Sequence, residues 1–156
     1  MQLTVAGWAA CDYTGIPMRM QTLLASKLTG SNTMTLVLVV EDNRMLRTLY
    51  VAGLSGYGFQ VTEAETLEEA RERLRVKPTP DTILLDLQLP DGSGRELIQF
   101  VRGELEWPDL PIIVATGLRG EEEDLMSVGA SAVLNKPIEF AVLFARLQAL
   151  LEKPRL

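Results

Sequence analysis

Five side chains carry the chemistry that this sequence suggests. Asp86 closes the apolar run Ile83 to Leu85 and is followed by the turn formers Pro90, Asp91, Gly92 and Gly94. Glu41 and Asp42 close a second unbroken run, Leu36 to Val40, while Thr116 follows a third, Pro111 to Ala115, and Lys136 a fourth, Ala132 to Leu134. If these runs are strands of one parallel sheet, their carboxyl ends share an edge and the five side chains converge on one crevice. Three carboxylates brought to about 4 Å repel by about 4 kcal/mol per pair at an effective dielectric near 20, so they require a cation. An all-oxygen donor set points to Mg2+ or Mn2+. Lys136 adds a mobile positive charge and Thr116 a hydroxyl donor. A carboxylate nucleophile beside a divalent ion, a lysine and a hydroxyl suits a transferring phosphoryl group, which Asp86 would take as an aspartyl phosphate.

The elements that must hold these residues are legible as hydrophobic runs and periodicities. Ile83 to Leu85 and Leu36 to Val40 are apolar throughout rather than alternating, which suits strands buried on both faces by helices. After Leu36–Val40, Asn43 or Asp42 can cap a helix with Leu46, Leu49, Tyr50 and Leu54 inward, stopped at Gly56 and Gly58. Residues 59–64 form the next strand. Thr66 and Glu69 make a capping box for a polar helix to about Val76, and Lys77 to Pro80 turns into the Asp86 strand. Beyond Asp86, residues 95–102 suit a helix with Leu97, Ile98 and Val101 inward. Glu121 to Val128 is a short helix with a solvated acidic start. The segment 139–151 is the clearest amphipathic helix, with Phe140, Leu143, Phe144, Leu147, Leu150 and Leu151 on one stripe. Five strands alternate with five helices, which predicts βα units, right-handed crossovers and one parallel sheet.

Composition narrows the function classes. The chain has 156 residues, 47% of them hydrophobic, one cysteine (Cys11) and no histidine. Internal disulfides, cysteine metal clusters, histidine-dependent triads and a phosphohistidine on this chain are thereby excluded, and a reducing cytoplasm is the expected compartment. The net charge of −6 argues against duplex binding, and no run reaches the ~20 apolar residues of a membrane span. Residues 1–33 carry only Asp12, Arg19 and Lys27 as charges, a sum of +1 that leaves −7 for residues 34–156. That change in composition marks an N-terminal extension ahead of a domain at 34–156. A brief helix at Pro17 to Leu28 and a translation start at Met34 are expectations for this region.

Residues 36–151 resemble the receiver domain of two-component response regulators. The motifs that carry the resemblance are Val39-Val-Glu-Asp-Asn43, Leu84-Leu-Asp-Leu-Gln-Leu-Pro-Asp-Gly-Ser-Gly94, Ala115-Thr-Gly117 and Asn135-Lys-Pro137. It implies a flavodoxin-like doubly wound α/β fold with sheet order 2-1-3-4-5 and a cis bond before Pro137. It also implies Asp86 as phosphoacceptor, with Glu41, Asp42, Asp86 and the backbone carbonyl of Gln88 holding Mg2+ or Mn2+. Thr116 and Lys136 would bind the phosphoryl oxygens. A sensor histidine kinase or histidine phosphotransfer protein would supply the group, and a protein target would dock on the fourth and fifth helices, with no nucleic acid or membrane partner. Because the sequence stops soon after the fifth helix, a stand-alone signalling module is expected, with at most self-phosphorylation and self-dephosphorylation activity. Two departures from the family pattern stand out: Val133 occupies a position commonly aromatic, and the segment from Thr116 to Lys136 is about two residues short. They support an alternative, a phosphorylation-independent scaffold. A haloacid-dehalogenase-type phosphohydrolase is disfavoured because Gln88 stands where its second acid belongs.

Overall fold

A computed structural model describes residues 34–152. The expected extension, its helix at Pro17 to Leu28 and Cys11 lie outside the described residues. Five parallel strands, β1 (Leu36–Val40), β2 (Gln60–Ala64), β3 (Thr82–Asp86), β4 (Ile112–Thr116) and β5 (Ala132–Asn135), form one sheet in the order β2-β1-β3-β4-β5. The helices between and after them are α1 (Arg44–Gly56), α2 (Leu67–Arg75), α3 (Gly94–Gln99), α4 (Glu122–Ser127) and α5 (Phe140–Leu151). Every residue of the central strands β3 and β4 is buried, as continuous apolar runs covered on both faces require. Leu38, Ile83, Leu85, Ile112 and Val114 pack with Leu67, Leu74, Leu97, Ile98 and Leu125 from α2, α3 and α4. The alternate set, Val37, Val39, Leu84 and Ile113, faces the other way, toward the layer of α1 and α5. There Tyr50 meets Phe140 edge to face at 6.4 Å, and the Tyr57 and Phe144 rings lie 3.6 Å apart.

Parallel register sets the strand ends level. Val40 pairs with Leu85, Asp86 with Ala115, and Thr116 with Asn135. The residues after these pairs therefore emerge along one rim.

Several local expectations are corrected. Leu49 is 52% exposed; the inward stripe of α1 is Arg47, Tyr50 and Leu54. Thr66 caps α2 through the Glu69 amide, but the Glu69 carboxylate accepts from Glu65 N rather than closing the box. The reciprocal box sits instead at α3, where Ser93 and Glu96 cap each other. Beyond Gln99 the helix widens into a π turn, Phe100–Glu104, in which Leu105 N donates to Phe100 O. The acidic start of α4 is not merely solvated: Arg95 pairs with Glu121 and Asp124, and Asn135 donates to Glu122. The Lys136–Pro137 bond is cis, as is Lys77–Pro78.

Candidate functional site

The rim of β1, β3 and β5 gathers Glu41, Asp42, Asp86 and Lys136. One carboxylate oxygen from each acid lies within 4.8 Å of the others. Glu41 and Asp86 are buried, at 2% and 7% exposure, and Asp42 is open to solvent. Asn43 accepts from Leu46 N and so starts α1 directly beyond the acidic pair. The Asn43 amide in turn donates to Glu41 Oε1 at 3.1 Å, which fixes that carboxylate against the helix start.

Asp86 is presented by the turn that follows β3. Gln88 N donates to Asp86 Oδ1 at 3.3 Å, and Gln88–Leu89 pairs antiparallel with Gly92–Ser93, folding the loop back over the strand end. Gly94 closes that fold with a bond from its amide to Leu87 O, and a Cβ there would lie 2.5 Å from Asp86 O. Asp91 anchors the far side of the loop: its two oxygens accept from Leu67 N at 2.8 Å and Glu68 N at 3.1 Å, capping α2. These bonds hold the Asp91 carboxyl below its ordinary pKa despite the opposing cost of desolvation.

Lys136 neutralises part of this charge. Its Nζ lies 3.0 Å from Glu41 Oε2 and 3.3 Å from Asp86 Oδ1, and its amide donates to Thr116 O. Burial alone would lower the lysine pKa, but the two carboxylates outweigh it and the net shift is upward. Burial raises the Glu41 pKa and Asp86 adds to that, against the bond from Lys136. Thr116 ends β4, the strand beside Asp86, and its hydroxyl oxygen accepts from Leu118 N, which leaves the hydroxyl proton available to a ligand. The structure thus groups the three acids, with Lys136 bonded to Glu41 and Asp86, Thr116 on the neighbouring strand end and Gln88 two residues past Asp86.

An octahedral hard cation holds oxygens about 2.0–2.1 Å from itself, hence roughly 3–4 Å from one another. The three carboxylate oxygens within 4.8 Å suit such an ion, and among the described residues no histidine or cysteine joins that acidic group. The sequence reading left out Arg47 and placed Tyr50 only on the inward face of α1. Arg47 lies buried beneath the acidic pair, signalled only by a cation on the apolar stripe of α1. Tyr50 is also buried, its phenol pushed up to about 12 by desolvation and by the charges of Glu41 and Asp86. Val133 packs at the margin of the core on β5, and α4, six residues long, occupies the shortened segment.

Residues 37–148 match the family described as "Response regulator receiver domain". Over 123 residues the sequence is 40% identical to the KDP operon transcriptional regulatory protein KdpE of Escherichia coli (strain K12), covering 77% of this chain and 52% of that one. It is 38% identical over 120 residues to the phosphate regulon transcriptional regulatory protein PhoB of Klebsiella pneumoniae, covering 75% and 52%. The chain therefore spans about half the length of the curated relatives it matches. Among solved structures, the chemotaxis response regulator CheY4 of Vibrio cholerae superposes with a TM-score of 0.69 at 29% identity, covering 76% of this chain and 99% of that one. The BeF3-activated N-terminal receiver domain of Klebsiella pneumoniae RstA gives 0.69 at 30% identity, covering 76% and 100%.

Proposed function

Because this chain belongs to the response regulator receiver domain family, we propose that it accepts a phosphoryl group on Asp86 from a phosphohistidine of a partner kinase or phosphotransfer protein. The observation that carries this reading is Asp86 itself, a buried carboxylate at a strand end within 3.3 Å of the Lys136 ammonium. In the transfer an Asp86 oxygen forms a bond to phosphorus as the P–N bond of the donor breaks, its electron pair leaving with the imidazole nitrogen. Lys136 and the Thr116 hydroxyl bind the phosphoryl oxygens, each supplying a donor where negative charge sits. Glu41, Asp42, Asp86 and the Gln88 carbonyl would hold Mg2+ or Mn2+, which neutralises charge on the phosphoryl oxygens when bound. The lysine shared by Glu41 and Asp86 offsets part of their mutual repulsion until the ligand arrives.

The chain acts in this reading as a cytoplasmic signalling domain rather than an enzyme with a released product, beyond slow self-phosphorylation and self-dephosphorylation. No helix among the described residues is long and apolar enough to cross a membrane. Output would pass by protein contact through the α4 and α5 face, with phosphorylation biasing its two states. Incubation with radiolabelled acetyl phosphate tests the bond type. An acyl phosphate on Asp86 is released by hydroxylamine and absent from Asp86→Asn; a label that resists hydroxylamine contradicts the proposal.

A further inference from the structure

We infer that Arg47 sets the metal affinity of the phosphoryl site by clamping the backbone of the acidic pair. The inference rests on the metal reading given above and adds a positioning residue to it. Arg47 is the buried cation of α1, with a side chain only 7% exposed. Its guanidinium spends every arm. Nε donates to Glu63 Oε2 at 3.0 Å, Nη2 pairs with Glu65, and Nη1 donates to the Glu41 carbonyl at 2.8 Å while reaching toward the Asp42 carbonyl at 3.5 Å. Glu63 belongs to β2 and Glu65 follows it directly, so the fork ties the β1–α1 turn to the edge strand of the sheet.

The direction of control follows from burial. Glu63 and Glu65 are about half exposed, at 48% and 58%, so they gain little by pairing alone. What the clamp fixes is the peptide between Glu41 and Asp42, whose carbonyl accepts the buried Nη1 bond. Both residues of that peptide carry candidate metal oxygens. A lysine cannot replace this geometry, because one ammonium cannot reach three separated acceptors in a plane.

Electrostatics and positioning predict opposite outcomes here. Arg47 is a positive charge bonded to the backbone of the acidic pair, so by charge alone its removal strengthens cation binding, and Arg47→Lys leaves it unchanged. By positioning, both Arg47→Gln and Arg47→Lys weaken binding, by about tenfold, as loss of partners that orient metal ligands commonly does.

The experiment measures Mn2+ dissociation constants from the paramagnetic resonance signal of free Mn2+, on the whole chain, with circular dichroism to verify folding. Wild type binds, and both Arg47 variants bind about tenfold more weakly. Equal or tighter binding by either variant overturns the inference while leaving the metal site intact. A wild type that binds no Mn2+ overturns the metal reading itself, and the inference with it. Should both Arg47 variants fail to fold, Glu65→Gln removes one exposed anchor without burying an unpaired group. In 1 M KCl, where the screening length is about 3 Å, Glu65→Gln is expected to bind Mn2+ several-fold more weakly, and unchanged affinity overturns the inference.

Discussion

Lys136 lies between two carboxylates that a divalent cation also needs, 3.0 Å from Glu41 and 3.3 Å from Asp86. In the proposed function it would compete with the ion in the resting site and serve the phosphoryl group afterwards. Lys136→Ala is accordingly expected to bind Mn2+ several-fold more tightly yet to accept phosphoryl groups more slowly, as read by metal titration and labelling rate on the same preparation. Slower labelling with weaker metal binding would show that Lys136 holds the acids in place rather than competing for them. Tyr50 offers a second test at this scale. Its pKa rises from 10.0 to about 12, first from burial and then from the Glu41 and Asp86 charges. A folded pKa above the unfolded one means stability is full below pH 10 and falls as pH rises through about 12, because the unfolded chain gives up the proton first. In the presence of a chelator, Tyr50→Phe is expected to lose less stability than wild type between pH 10 and 12 in urea titrations; parallel losses would contradict the assignment. Asp86, Glu41, Asp42 and Lys136 were all legible in the sequence, because each follows an apolar run and parallel strands align their ends. Arg47 was not, and Tyr50 was legible as an inward residue but not as one near the acidic group, since their partners come from β2 and from charges on other strands, which no local pattern encodes.

The elements owe their junctions to close approaches as much as to hydrophobic runs. Gly53 on α1 faces Phe140 at the start of α5, and a Cβ there would lie 2.3 Å from the ring. Gly53→Ala is expected to destabilise the domain by about 1–3 kcal/mol through overpacking, despite the better helix propensity of alanine. Combining it with Phe140→Leu should recover part of the loss, and additive losses in urea denaturation would refute the clash. The loop after β3 supplies a second junction. Asp91 caps α2 from a distance of 24 positions in sequence, so Asp91→Ala is expected to cost about 1 kcal/mol and to loosen the loop that presents Asp86. Because the Asp91 pKa is lowered in the fold, this contribution is present at neutral pH and fades as the carboxyl protonates in acid. These details explain the limits of the sequence reading. Strand and helix order followed from periodicity, whereas Leu49 turns outward and Arg47 inward because a guanidinium bonded to Glu63, Glu65 and the Glu41 carbonyl is cheaper to bury than periodicity alone implies. The π turn after Gln99 had no sequence signal, for Phe100 and Val101 fit a regular helix equally well and only their packing into the core distinguishes the two.

At the scale of the molecule, the fold is a device for placing side chains from sequence positions 41 to 136 on one rim. Burial on both faces fixes the register of β3 and β4, and register fixes which residues reach the rim. Val133 on β5 packs at the margin of the core and α4 is only six residues long, so in the proposed function any conformational signal would pass without an aromatic ring at that position. The chain spans about half the length of the curated relatives it matches, and residues 37–148, which match the receiver family, contain the acidic rim. All of this turns on Asp86 being a phosphoacceptor that depends on a divalent ion. The measurement that tests it most directly is the intact mass of wild type and Asp86→Asn after incubation with phosphoramidate, with Mg2+ and with chelator. A gain of about 80 Da, one phosphoryl group, on wild type with Mg2+ alone is the predicted result. No gain under either condition, or an equal gain on Asp86→Asn, would contradict the account and return the domain to a phosphorylation-independent role.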